Sequence, residues 1–212
     1  MKLILLALLM VTGKLSAQIS AEDGKSGRPF DYATVTGSPF LFSDWSEGWV
    51  KFANGNKLRH FKIKLDCAKN QLLLQYGGST FAAESRISEF MIYRGKKDSL
   101  LFRKGFADPS GNGSEIFYQI LAEGKAMLLK HNAKAILEQK LVNSTTSRRF
   151  EPEELYFIYL NGQLIPFQKR DPSSLDQLTS SSEPFAEFVR TSEPKLRDES
   201  EMQAVIKKFN EL

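Results

Sequence analysis

Trp49-Val50-Lys51-Phe52-Ala53-Asn54-Gly55-Asn56-Lys57-Leu58-Arg59-His60-Phe61-Lys62-Ile63-Lys64-Leu65 decides the fold. The first five residues alternate in character, and Asn-Gly follows. An Asn-Gly pair between alternating runs is the strongest short hairpin signal, because both residue types tolerate positive φ. The return strand carries Phe61, Ile63 and Leu65 on one face and His60, Lys62 and Lys64 on the other. Leu58 is out of phase with that apolar set. For Leu58 to share the face of Phe61, one extra residue has to be absorbed near Arg59-His60, which is what a β-bulge does.

The same two-residue period recurs downstream. Leu72, Leu74 and Tyr76 alternate before Gly77-Gly78. Phe90 and Ile92 alternate with Met91 and Tyr93, and Leu100 and Phe102 form a short run before Gly105. Ile116, Tyr118 and Ile120 alternate with Phe117, Gln119 and Leu121, and Glu123-Gly124 turns the chain into Met127 and Leu129. Leu155 to Leu160 is apolar at every position, the mark of a strand covered on both faces. Asn161-Gly162 then turns into Gln163 to Phe167. The stretch Asn132 to Asn143 is ambiguous: its Ala, Lys, Leu and Glu content favours helix, while its position also suits a strand continuation. Short strands with Gly-rich turns indicate a mainly β fold, as an antiparallel sheet, a sandwich or a partly open barrel.

After Lys169 the signals become helical. Asp171-Pro172 and Ser182-Glu183-Pro184 are helix starts, a capping residue followed by Pro in the first turn. Phe185, Phe188 and Val189 fall on one helical face. Asp198 and Glu201 have capping-box spacing, and Met202, Val205, Ile206 and Phe209 form one apolar stripe. Two or three short C-terminal α-helices are expected. Helices this short are not stable alone, so the segment 170–212 is expected to dock on a β domain spanning 37–169.

At the other end, Lys2 precedes an unbroken apolar run from Leu3 to Val11, and small residues follow to Ser16-Ala17. That is the layout of a secretory signal, with cleavage expected between Ala17 and Gln18. The run is shorter than the roughly 20 residues a membrane span needs. Residues 18–36, polar with Gly24, Gly27 and Pro29, read as a flexible leader. An exported protein, periplasmic or extracellular, with no membrane span after removal of the signal, is the expectation.

Loss of Lys2 and Lys14 with the signal removes two of the four net positive charges of the 212-residue chain. The remaining Lys and Arg interleave with Asp and Glu, which argues against a nucleic-acid partner. The one cysteine, Cys67, permits no intrachain disulfide and reads as a small buried apolar residue. His60 and His131 have no His, Cys or Asp at metal-ligand spacing. No nucleotide-binding loop and no nucleophile-elbow motif is present.

In Asp108-Pro109-Ser110-Gly111-Asn112-Gly113, the side chains of Asp108, Ser110 and Asn112 with Gly113 match the alternate oxygens and sixth-position Gly of a Ca²⁺ loop. The twelfth position is Gln119 instead of a bidentate Glu, so an ordinary hairpin loop is the preferred reading. Glu151, Glu153 and Glu154 follow Arg148-Arg149 and read as solvated charges on a loop. Trp45 and Trp49 are the candidate binding surface, set against the usual role of Trp in a β core. No catalytic, cofactor-binding or firm metal residue is assigned.

Gly37-Ser38-Pro39-Phe40-Leu41 followed by Trp45, Gly48, Val50 and Asn54-Gly55 resembles a family of secreted, uncharacterised β-rich proteins of Bacteroidetes. Phe117 to Leu121, Gly124-Lys125, Leu128 to Lys130 and the ending Phe209-Asn210 resemble it as well. The resemblance implies export and a β fold and transfers no catalytic residue. The leading expectation is an exported, non-enzymatic module of the cell envelope that binds a protein or surface component. The alternative is a carrier of a small apolar or sugar ligand in a barrel or sheet–helix cavity. An enzyme remains open, since carboxylate pairs assemble from residues distant in sequence.

Overall fold

The computed structural model describes residues 32, 34–83, 86–95, 98–108, 111, 113–140 and 146–212. Val35–Leu212 form one compact unit, to which the description below belongs. The expected signal and the leader as far as residue 31 lie outside the described residues, as do Ser110 and Asn112. The last two leader positions, Val35–Thr36, are a strand, β1.

Ten further strands follow: β2 Ser46–Phe52, β3 Lys57–Asp66, β4 Gln71–Tyr76, β5 Ser79–Ala82, β6 Ile87–Tyr93, β7 Ser99–Arg103, β8 Tyr118–Ala122, β9 Ala126–Lys140, β10 Thr146–Leu160 and β11 Gln163–Phe167. They form one sheet in the order β1-β10-β9-β8-β7-β6-β2-β3-β4-β5, with β11 also on β10. The sheet is not closed into a barrel, because β5 does not pair with the far edge. All pairs are antiparallel except β1 with β10. β1 covers Arg148 and Arg149 on the outer edge of β10, and β11 covers Tyr156 to Leu160 on that edge.

The β2–β3 hairpin turns at Asn54-Gly55 as its sequence indicates. Only Gly55 has positive φ (88°); Asn54 instead accepts the N–H of Asn56 through its side chain. The bulge is present too. Gly48 pairs with Phe61 and Trp49 with Arg59, so His60, at φ 67°, is the extra residue. Residues directly paired share a face. Leu58, opposite Val50, therefore does return to the side of Phe61, but at the rim, where it stays 40 % exposed while Val50 is fully buried.

The ambiguous stretch is strand. Residues 132–140 pair along their whole length with β10, and this cross-strand ladder overrides the helix-favouring composition. Pro152 survives in the middle of β10 for a specific reason. Its partner Lys134 turns its N–H away from β10, to the Cys67 carbonyl at 3.2 Å. The pair is thus non-hydrogen-bonded, and the N–H that Pro152 lacks would have pointed to the open edge. Glu151, Glu153 and Glu154 accordingly lie on a strand and not on a loop.

A 3₁₀ turn, Pro172–Leu175, and three helices, α1 Asp176–Ser181, α2 Glu183–Ser192 and α3 Glu199–Glu211, close the chain. Asp171, Ser182 and Asp198 cap as read from the sequence, accepting N–H groups of Ser173, Phe185 and Glu201. The carboxylate of Glu201 reaches back one residue further than a capping box requires, to the N–H of Arg197 at 2.8 Å.

The helices lie over the β8–β11 half of the sheet. Leu175, Leu178, Phe185, Met202, Val205, Ile206 and Phe209 share one core with Ala122, Leu128, Tyr156, Ile158 and Leu160. Burial of each large apolar side chain stabilises by about 2 kcal/mol. Asn210 fastens the far end of α3. Its Oδ1 accepts the Ala126 N–H at 2.8 Å, and its Nδ2 donates to the Ala126 and Glu123 carbonyls. A Cβ on Gly124 would lie 2.3 Å from this amide, so only glycine leaves room. The other half of the sheet has its own core of Val50, Phe61, Ile63, Leu72, Leu74, Phe90, Ile92, Phe102 and Phe117. The reverse side of the β8–β11 half is covered by Phe106, Tyr118, Leu129, Phe157 and Tyr159, so Phe157 and Ile158 are each packed on their own face.

Candidate functional site

The bulge at His60 has a consequence for charge. In an unbroken strand Lys57 and Arg59 would face one side and Lys62 and Lys64 the other. The extra residue brings all four to the same side, where the register adds Lys51, directly opposite Lys57. These five cations lie on the face of β2 and β3 opposite Val50 and Phe61. Lys57, Arg59 and Lys62 are exposed, and Lys51 and Lys64 are half-buried. None of the five makes an ion pair among the described residues. Three carboxylates share the face. Asp66, buried at the end of β3, accepts the N–H groups of Ala68 and Lys69 at 2.9 and 3.0 Å. Glu47 stands opposite Lys62 without bridging to it. Glu89, beside Lys51, is taken by Arg103 at 2.6 Å.

Trp45 and Trp49 both belong to this face, under the cations. Trp49 is only 6 % exposed, and the Lys57 ammonium lies 3.2 Å from its ring centre. Lys64 stands 4.5 Å from the Phe40 ring and 5.6 Å from Trp45. A cation over an aromatic face is attracted by the ring's quadrupole. The tryptophans thus support ammonium groups instead of forming an open stacking platform.

A second polar cluster joins the sheet to α3. Lys130, 7 % exposed, reaches Glu154 at 2.7 Å and Glu199 at 2.5 Å. The Tyr156 hydroxyl donates toward both carboxylates, at 2.9 and 2.8 Å, and Lys169 approaches Glu154 at 3.4 Å. Burial opposes the charge on Lys130, yet hydrogen bonds to Glu154 and Glu199 outweigh it and hold the ammonium above its ordinary range. The hydrogen bond from Lys130 holds Glu154 below the usual carboxylate range. Burial, then the two carboxylates, push Tyr156 well up. Two facing carboxylates are what a glycosidase-type site requires. Here, however, Glu154 is kept ionised, and Lys130 and Tyr156 lie between the pair. The arrangement is an ion clasp between β9, β10 and the first turn of α3.

Other residues singled out in the sequence are placed as follows. Cys67 is buried and its thiol is pushed up to about 12, chiefly by desolvation, so a reactive thiolate does not form near neutrality. His131 is half-buried on β9, and burial lowers its pKa. His60 is the exposed bulge residue. Asp108 is half-buried near Tyr118; its proposed calcium companions Ser110 and Asn112 are outside the described residues. Among the described residues no group of three or more His, Cys, Asp or Glu converges as metal ligands, and no helix is long and apolar enough to cross a membrane. An open depression of 330 Å³ lies between β11 and α1, lined by Asn161, Gln163, Asp176, Gln177 and Ser180.

The sequence places His60, Lys62 and Lys64 on one face of the return strand and offers Trp45 and Trp49 as a binding surface, but it does not join the two sets. Lys57 and Arg59 were missed, although the inferred bulge already implied their change of face. Lys130, Tyr156 and Glu199 had no local signal, since they meet across 69 positions of sequence. No family model, curated protein or solved structure matches the chain.

Proposed function

We propose that the protein is an exported, non-enzymatic module that binds a component of the cell envelope through the cation-lined face of β2 and β3. The observation that carries this reading is the set of five cations gathered on one face by the bulge and left without carboxylate partners. Unpaired like charges side by side disfavour the folded state, so their collection on one face is explained by an anionic ligand. The signal-like start and the resemblance of Gly37 to Gly55 to secreted proteins of Bacteroidetes support the location. The carrier reading is less favoured. Leu175, Leu178, Phe185, Met202 and Ile206 fill the space between sheet and helices, and the depression at its margin is open to solvent.

The test is cosedimentation of the full chain with washed envelopes of the producing cell. The quadruple variant Lys57→Glu, Arg59→Glu, Lys62→Glu, Lys64→Glu serves as the control. The parent protein is expected in the pellet and the variant in the supernatant. Equal partition of both would refute the binding face. Intact mass of the exported protein tests the location: loss of residues 1–17 is expected, and a mature chain retaining Leu3 to Val11 would remove the export reading.

A further inference from the structure

We infer that the ligand of this face is an extended acidic polysaccharide, held by charge along β3 without ring stacking. The inference rests on the binding face proposed above and adds the class of ligand.

Three features of the face select it. The first is shape. From Lys57 to Lys64 the cations run along one strand over roughly 20 Å, at about 3.3 Å per residue with one residue lost to the bulge. Such a row matches a linear polyanion better than a compact anion. The second is the kind of cation. Four of the five are lysines, compact point charges that make few demands on ligand geometry. Repeated carboxylate or sulfate groups on a flexible chain suit them. The third is the state of the aromatic rings. Single-stranded nucleic acid is held by bases stacked on open rings. Here Lys57 covers Trp49 and Lys64 stands against Phe40 and Trp45, so those rings are occupied. A membrane surface would in turn call for large apolar side chains projecting among the cations. On this face of β2, β3 and β6 the only strongly exposed large side chain is Tyr93, which is amphipathic.

The placement of Lys57 also supplies a reporter. A polyanion that draws the ammonium away from the Trp49 ring changes the emission of that tryptophan.

The test is titration of the full chain, by calorimetry and tryptophan emission, with polygalacturonate and dextran sulfate. Neutral dextran, single-stranded DNA, polyglutamate and vesicles of anionic phospholipid are the comparison probes. Both acidic polysaccharides are expected to bind and to shift the emission, and dextran is not. With four to five cations engaged, affinity falls about a hundredfold between roughly 50 and 200 mM salt. The quadruple charge-reversal variant, its fold checked by its thermal transition, is expected to lose at least tenfold. Binding of dextran equal to dextran sulfate, salt-independent binding, or tighter binding of DNA, polyglutamate or vesicles would overturn the inference. If envelope cosedimentation depends on the four cations while neither acidic polysaccharide binds, the ligand class is wrong and the face stands. If cosedimentation is indifferent to them, the face itself is wrong.

Discussion

Lys130 and Lys62 stand on opposite faces of one sheet, and their surroundings have little in common. Lys130 is enclosed, with Glu154, Glu199 and Tyr156 around its ammonium. Lys62 is exposed, next to Lys64 and Arg59, with Glu47 opposite but not bridged. The first region uses charge to hold a helix to a sheet, and every member has a partner within the fold. The second concentrates charge and leaves it unpaired. The difference separates charges that the fold consumes from charges that remain for a ligand.

The comparison is broken most severely by removing what the clasp fastens. Deletion of residues 198–212 takes away Glu199 together with Met202, Val205, Ile206 and Phe209, whose side chains are between 0 and 6 % exposed. The sheet face under α3 is then bare. The truncated chain is expected to lose its cooperative thermal transition or to associate through the exposed face. Phe209→Ala alone should cost about 3 kcal/mol in a denaturant titration. A monomeric truncation as stable as the parent would show that α3 contributes nothing to the fold.

Lys130→Met and Lys62→Met compare the two regions directly. The first leaves Glu154 and Glu199 facing each other with no cation between them. Removing one member of a buried ion group costs about 3 kcal/mol, at the lower end here because both carboxylates are partly exposed. The second removes an unpaired surface charge and should stay within about 0.5 kcal/mol of the parent. Equal effects in urea unfolding would erase the distinction on which the binding face depends.

How much of this was legible in the chain differs between the two regions. The β2–β3 hairpin is local: alternation, Asn54-Gly55 and the phase slip at Leu58 give turn, pairing and bulge from 17 consecutive residues. The cationic face follows from the same residues, because the slip that returns Leu58 to the side of Phe61 must also move Lys57 and Arg59. The three helix starts and the stripe of α3 were legible for the same reason, each being set within one or two turns. The clasp was not, because β9, β10 and α3 meet only after the whole sheet is assembled. The strand at 132–140 was also hidden. Its residues favour helix individually, and only the ladder to β10, across a connection of five residues, decides against it. The choice among sheet, sandwich and partly open barrel was hidden as well, since closure depends on how strand order runs, which alternation does not encode.

Gly55→Val sharpens the local side of that contrast. At φ 88° a β-branched residue is strained, and the expected destabilisation is about 2 kcal/mol. No atom lies within 4 Å of a Cβ built there, so the effect is conformational and not steric crowding by neighbours. Gly55→Asn, which tolerates the left-handed region, should recover most of it. Thermal unfolding of the two variants distinguishes backbone strain from packing, and equal losses would refute the strain account.

The smallest expected effect concerns the pH dependence of the clasp. Glu154 titrates below the ordinary carboxylate value of 4.5 in the folded protein, so it contributes stability above that value, lost as pH falls through its folded pKa. Lys130 and Tyr156 titrate above 10.5 and 10.0; their contribution is present below those values and lost as pH rises through the folded ones. His131, lowered by burial, adds a separate share that fades as pH drops below about 6.5. Glu154→Gln keeps the shape of the clasp but removes the charge that Lys130 and Lys169 face from β9 and from the end of β11, and that Tyr156 and Glu199 share. Its melting temperature should therefore fall less steeply than the parent's below about pH 4.5, while the step near pH 6.5 is unchanged. The difference is small because Glu154 is 48 % exposed and its interaction is screened by solvent. Superimposable acid limbs for parent and Glu154→Gln would mean that the clasp does not hold Glu154 in its ionised form, and that its charge plays no part in fastening α3.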